Sequence, residues 1–183
     1  MGFFFSNLWK NDNEIIMLGL DFSGKTSILN YLKEQLGENS PIKYNSRYDL
    51  CFTYKGLNII IIDLGGYDNY FNERKMKEYF GKAKGFILVV DSGDKYRFKE
   101  ELFREFENIF SKDRFKTQPI LILANKQDLN GALNIEDIIK KIEIEKNKNR
   151  DWLAVGTSVI TGEGIDVGFD WLISILNKKY NSK

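Results

Sequence analysis

Gly19-Leu-Asp-Phe-Ser-Gly24-Lys25-Thr26 fits the pattern G-x-x-x-x-G-K-[ST], and it stands where that pattern has a mechanism. Before it runs Glu14-Ile-Ile-Met-Leu-Gly-Leu20, a short apolar stretch of the kind that forms a buried parallel strand. After it, Ile28, Leu29, Leu32 and Leu36 recur at helical spacing until Gly37 stops the run. The glycines let the backbone curl so that successive N–H groups face phosphate oxygens, and the helix adds its positive dipole end. On this reading Lys25 bridges the β- and γ-phosphates and the Thr26 hydroxyl coordinates Mg²⁺. The competing reading, a glycine-rich turn followed by Lys-Thr, leaves the strand-to-helix setting unexplained. The motif alone does not separate ATP from GTP.

Downstream, strand-like and helix-like segments alternate. Leu50–Tyr54 and Leu57–Ile62 flank a turn at Lys55-Gly56, while the polar stretch from Asn39 to Arg47, with Pro41, reads as a loop. Gly65-Gly66 breaks the chain, and an irregular charged segment leads to Gly81. Gly85–Asp91 and Pro119–Ala124 are further apolar strands, and Trp152–Ser158 is the last. Leu102, Phe103, Phe106, Ile109 and Phe110 mark an amphipathic helix, Ile135–Ile142 a shorter one, and Phe169, Leu172, Ile173 and Leu176 a C-terminal one. Glu143 to Arg150 reads as a solvated loop. The alternation implies an α/β fold, a mostly parallel sheet with helices on both faces and one antiparallel strand at an edge.

Composition narrows the chemistry. A length of 183 residues fits one domain with its own core. A hydrophobic share of 43% with 29% charged residues argues against a disordered chain. Net charge is +1, so nothing points to nucleic acid. The sequence has no histidine, which excludes His acid–base catalysis and His metal sites. The single Cys51 cannot form an intramolecular disulfide and reads as a small core or strand residue in a reducing compartment. No apolar run approaches the roughly 20 residues needed to span a bilayer, and the N-terminus lacks the basic leader of a secretion signal.

Two further motifs fall at strand ends. Asn125-Lys126-Gln127-Asp128 follows a buried strand, at the carboxyl edge where ligands bind in such folds. A carboxylate at Asp128 can accept from both N1–H and N2–H₂ of guanine, donors that adenine does not offer. As an isolated tetrad it would be a polar turn; with the phosphate loop about a hundred residues earlier, it favours a guanine nucleotide. Ile59-Ile-Ile-Ile62-Asp63-Leu64-Gly65-Gly66 delivers another carboxylate to the same edge, where Asp63 would hold Mg²⁺ through water. Gly66 would offer its backbone N–H to a γ-phosphate.

Together with Val89-Val-Asp-Ser92 and Gly168-Phe-Asp-Trp-Leu172, these motifs resemble the ADP-ribosylation factor (Arf) and Arf-like family of Ras-superfamily GTPases. The resemblance covers nearly the whole chain. It implies a Ras-like P-loop GTPase fold with a six-stranded sheet, GTP and GDP as ligands, and Mg²⁺. It assigns nucleotide contacts to Asp21, Ser23, Gly24, Lys25, Thr26, Ser27, Gly66, Asn125, Lys126, Asp128, Ser158 and Val159, with Mg²⁺ at Thr26 and, through water, at Asp63. It further implies a monomer that meets effector proteins, an exchange factor and a GTPase-activating protein in vesicle or protein trafficking.

Two departures bear on turnover. Tyr67 stands where the family has the glutamine that orients the attacking water, so intrinsic hydrolysis is expected to be slow or to need a partner's residue. Tyr44 stands at the position of the first-switch threonine, leaving Ser46, Ser40 or the Tyr44 hydroxyl as the available groups. An alternative reading follows, a hydrolysis-deficient GTP-binding scaffold; a P-loop kinase, a third, lacks an evident lid or acceptor-site acid. At the N-terminus, Met1-Gly2-Phe3-Phe4-Phe5-Ser6 fits M-G-x-x-x-[ST], which predicts myristoylation of Gly2. Phe4, Phe5, Leu8 and Trp9 share one face of a short helix suited to a membrane interface. Residues 1–12 are thus expected to be a membrane-binding segment and 13–183 the GTPase domain. The expected location is cytoplasmic, peripheral to the Golgi or another endomembrane.

Overall fold

A computed structural model of the protein describes residues 14–37, 43–45, 48–63, 80–98, 117–146 and 148–180, with the backbone alone for 43–45, 48–50 and 63. The centre of the sheet is β1 (Glu14–Gly19), the apolar run before the phosphate loop, and all but its first residue are buried. On one side it pairs in parallel with β4 (Leu57–Asp63), on the other with β5 (Ala83–Asp91). Beyond β5 lie β6 (Ile120–Asn125) and β7 (Trp152–Gly156), both parallel. Beyond β4 lies β3 (Tyr48–Tyr54), which returns antiparallel through the Lys55-Gly56 turn. Both turn residues take positive φ, 45° and 84°. That is the handedness a two-residue hairpin needs to match strand twist.

Five parallel strands and one antiparallel strand therefore form the expected six. A seventh, β2 (Lys43–Asn45), lies within the stretch read as a loop and pairs antiparallel with the outer edge of β3. Three residues carry no period of their own; the strand exists because the β3 edge offers unpaired backbone groups.

Period-two alternation divides the core. Ile16 and Leu18, Phe86, Leu88 and Val90, and Ile120, Ile122 and Ala124 face one side. There they meet Ile138 and Ile142 of α2 (Ile135–Ile142), whose Asn134 cap accepts from the Asp137 N–H at 2.7 Å. Ile15, Met17, Ile87, Val89, Leu121 and Leu123 face the other side. They are covered by α1 (Lys25–Leu36) through Ile28, Leu29 and Leu32, and by α3 (Ile165–Tyr180) through Phe169, Leu172 and Leu176. Burying both faces is why these strands read as continuous apolar runs. Leu36, the fourth member of the expected α1 stripe, is 42% exposed instead. It sits in the last turn, where the helix leaves the sheet.

Glu143–Arg150 is mostly exposed among its described residues, as expected of a solvated loop, but two of its side chains are buried. A 3₁₀ turn at Ile144–Lys146 inserts Ile144 into the α2 side of the core, and Arg150 is 5% exposed. Burial pushes the Arg150 guanidinium down to about 10, so it stays charged at physiological pH. The expected helix around Leu102–Phe110 and the N-terminal segment with Gly2 lie outside the described residues, as do Ser40, Ser46, Gly66 and Tyr67.

Candidate functional site

The sheet delivers the predicted residues to one edge. Gly19, where the phosphate loop begins, is in register with Asp63 at the end of β4. Asp91 at the end of β5 is in register with Asn125, and Ala124 with Gly156. Parallel strands thus end together, and each hands its next residues to the same carboxyl-end crevice.

The phosphate loop is closed by Ser23 N–H donating to Leu20 O at 3.2 Å, and Ile28 N–H donating to Gly24 O at 2.9 Å starts α1. Lys25 is 4% exposed, and its ammonium donates to the carbonyls of Gly19 and Leu20 at 2.8 Å each. It lies across its own loop, the place from which it would reach a phosphate. Two glycines here are required by space. A Cβ on Gly19 would stand 2.5 Å from the Val89 carbonyl oxygen. A Cβ on Gly24 would meet Asn125 Nδ2 at 2.3 Å, and Gly24 has φ of 101° besides. Thr26 and Ser27 are exposed in the first turn of α1.

Asn125 joins this loop to the Asn125–Asp128 segment. It is 2% exposed, its amide donates to the Ser23 carbonyl at 2.9 Å, and its Oδ1 accepts from the Thr157 hydroxyl at 3.4 Å. Lys126 has φ of 68°, and its ammonium pairs with Asp91 Oδ2 at 2.6 Å; the other Asp91 oxygen accepts from Gly93 N–H at 2.9 Å. The aspartate anchors the lysine ammonium at the end of β5. Gln127, the free position of the tetrad, is structural: its amide donates to Ser92 Oγ and to Leu133 O. Asp128 is exposed, and one of its oxygens accepts from the buried Ser158 hydroxyl at 2.6 Å. That bond fixes the carboxylate plane while the carboxylate remains open to a ligand. Val159 follows in the same loop, with its side chain packed against the core.

Asp94 and Arg97 have a role that no motif marks. The Asp94 side chain caps a short helical turn at Lys95–Arg97, accepting from Arg97 N–H at 3.0 Å and from its Nε at 2.6 Å. The guanidinium also donates through Nη1 to the Asp21 carbonyl at 3.0 Å. The Arg97 backbone N–H, and then its side chain, hold the Asp94 carboxyl below the ordinary carboxylate range. A small, partly open pocket is lined by Ser23, Asp91, Asp94 and Arg97 among others, and the buried Ser23 hydroxyl there has no hydrogen-bond partner.

A G-x-x-x-x-G-K-[ST] loop with its lysine folded across it, joined through Asn125 to the Asn-Lys-x-Asp segment at the carboxyl end of a parallel sheet, is the arrangement of a P-loop nucleotide-binding protein. The family model of the ADP-ribosylation factor family matches residues 3–176. Dictyostelium discoideum ADP-ribosylation factor K is 36% identical over 185 residues, covering 96% of this chain and 94% of its own. ADP-ribosylation factor J of the same organism and ADP-ribosylation factor-like protein 1 of Saccharomyces cerevisiae are each 34% identical with the same coverage. The chain belongs to the ADP-ribosylation factor family. It is accordingly a small GTPase switch in trafficking, whose ligands are GTP and GDP.

Proposed function

We propose that this chain binds guanine nucleotide firmly and hydrolyses it slowly, so that partners set the lifetime of its GTP state. The observation that carries the reading is the Asn125 amide on the Ser23 carbonyl, 2.9 Å away. It makes the phosphate cradle and the base reader one site, which a nucleotide spans and stabilises by mass action. Lys25 neutralises phosphate charge, Asp128 pairs with the guanine edge, and Ser158 orients Asp128. Bound Mg²⁺ would neutralise the terminal phosphates; the donor set suits it, since Mg²⁺ takes one or two protein oxygens and completes its shell with phosphates and water. Thr26, exposed at the start of α1, and Asp63, in register with Gly19, are the residues to hold it.

Slow turnover rests on Tyr67 at the water-orienting position, because a phenol lacks the paired donor and acceptor of an amide. Membrane attachment rests on Gly2 and the aromatic face beside it: one acyl chain binds with an association constant of only roughly 10⁴ M⁻¹, so two signals act together. No described helix is long and apolar enough to cross a membrane. The domain division at residue 12, a monomeric state and a Golgi or other endomembrane address belong to the same proposal. A single-turnover assay of Mg²⁺-GTP tests its core. Slow hydrolysis by the parent chain, accelerated by Tyr67→Gln, is expected; fast hydrolysis by the parent chain overturns it.

A further inference from the structure

Phe22 occupies the tip of the phosphate loop in a conformation that a bulky side chain rarely takes. Its φ is 65°, and it is 84% exposed. Both features carry a cost: the left-handed region is unfavourable for residues with a Cβ, and a phenyl ring gains from burial. The conformation is imposed from both sides. The carbonyl before Phe22, that of Asp21, accepts from Arg97 Nη1 at 3.0 Å; the carbonyl of Ser23 after it accepts from Asn125 Nδ2 at 2.9 Å. Two straps from separate elements thus turn the ring outward, beside the point where the loop touches the base reader. Strain that the surroundings enforce at a binding loop points to a function for the strained residue.

The place of the ring indicates what it meets. Phosphates lie within the curl of Gly19–Lys25, and the base is read at Asp128. A ribose joining them must cross the contact between Ser23 and Asn125. Phe22 is the residue next to Ser23, and its ring is free in solvent there. We propose that the Phe22 ring closes over the ribose of the bound guanine nucleotide and slows its release. The inference rests on the nucleotide reading above and adds a ligand-contacting residue to it.

The test compares GDP with an acyclic guanine diphosphate in which the sugar ring is opened. Phe22→Gly is expected to release GDP about tenfold faster than the parent chain. Phe22→Tyr, which keeps the ring, stays within about twofold. For the acyclic ligand, the parent chain and Phe22→Gly should differ by less than about twofold. A lost fold cannot mimic this, because glycine relieves the positive φ and raises the Tm of the nucleotide-free protein by about 2–4 °C. Equal GDP release from the parent chain and Phe22→Gly overturns the proposal, as does equal acceleration for both ligands. If the parent chain holds neither ligand, the nucleotide reading itself fails and this inference with it.

Discussion

Asn125 offers the sharpest test of how the site is held together. Its side chain is 2% exposed, donates to the Ser23 carbonyl at 2.9 Å and accepts from Thr157 at 3.4 Å. Asn125→Ala deletes the donor and strands the Ser23 carbonyl, a loss of about 1–3 kcal/mol. The loop that cradles phosphate is then less often in its binding shape, and apparent affinity falls in proportion. At 1.4 kcal/mol per decade, GDP should bind roughly five- to 150-fold more weakly. Asn125→Asp separates the hydrogen bond from mere packing. It keeps the volume but sets a carboxylate oxygen against the Ser23 carbonyl, acceptor facing acceptor, so it should be worse than alanine. Stopped-flow release of a fluorescent GDP analogue, with Tm measured alongside, reads both variants. Affinity in Asn125→Asp equal to the parent chain would refute the argument, since packing alone would then hold the loop.

Asp128→Asn should weaken GDP on the order of 100-fold and improve xanthine nucleotide, because an amide donor then faces the base where xanthine carries a carbonyl; competition binding with the two diphosphates reports this. The capping carboxylate of Asp94 is depressed in the folded state, so its stabilisation is complete above the ordinary carboxylate range and lost as pH falls through and below it. The Tm gap between the parent chain and Asp94→Asn should therefore stay constant from about pH 5 to 8 and close on further acidification. A Cβ at Gly164 would lie 2.1 Å from the Gly156 carbonyl oxygen, at a φ of 72°. Because that obstacle is backbone, Gly164→Ala should cost about 3 kcal/mol or more and displace the loop bearing Ser158, seen as a lower Tm together with faster GDP release.

Much of this molecule is written locally. The phosphate loop has a strand on one side and a helical stripe on the other, and both neighbours occur where the periods place them. Ile135–Ile142 is a helix over the whole of its expected span. Asn125 meets the loop because parallel strands must end at a common edge, and Lys126 and Asp128 follow it at that edge. The straps were not legible for the opposite reason. Arg97 reaches Asp21 across 76 residues, Lys126 reaches Asp91 across 35, and Ser158 reaches Asp128 across 30. A side chain joining distant strand ends leaves no period in the sequence; Asp91 stood out as a carboxylate at a strand terminus and within Val89-Val-Asp-Ser92, and neither points to Lys126. β2 was hidden because its pairing belongs to the β3 edge, and the buried Ile144 because a single apolar residue in a charged run looks incidental.

The bond between Asn125 and Ser23 also spans 102 residues of chain, and that distance has a meaning in time. During synthesis the cradle leaves the ribosome first, and its partner follows only after β6 has been made. Until then the loop has nothing to hold the Ser23 carbonyl and no reader for the base. A nascent or C-terminally cleaved chain that stops before β6 should therefore gain nothing from cellular GTP. A chain that extends through β6 can close the bond, so nucleotide binding reports that both halves of the site are present.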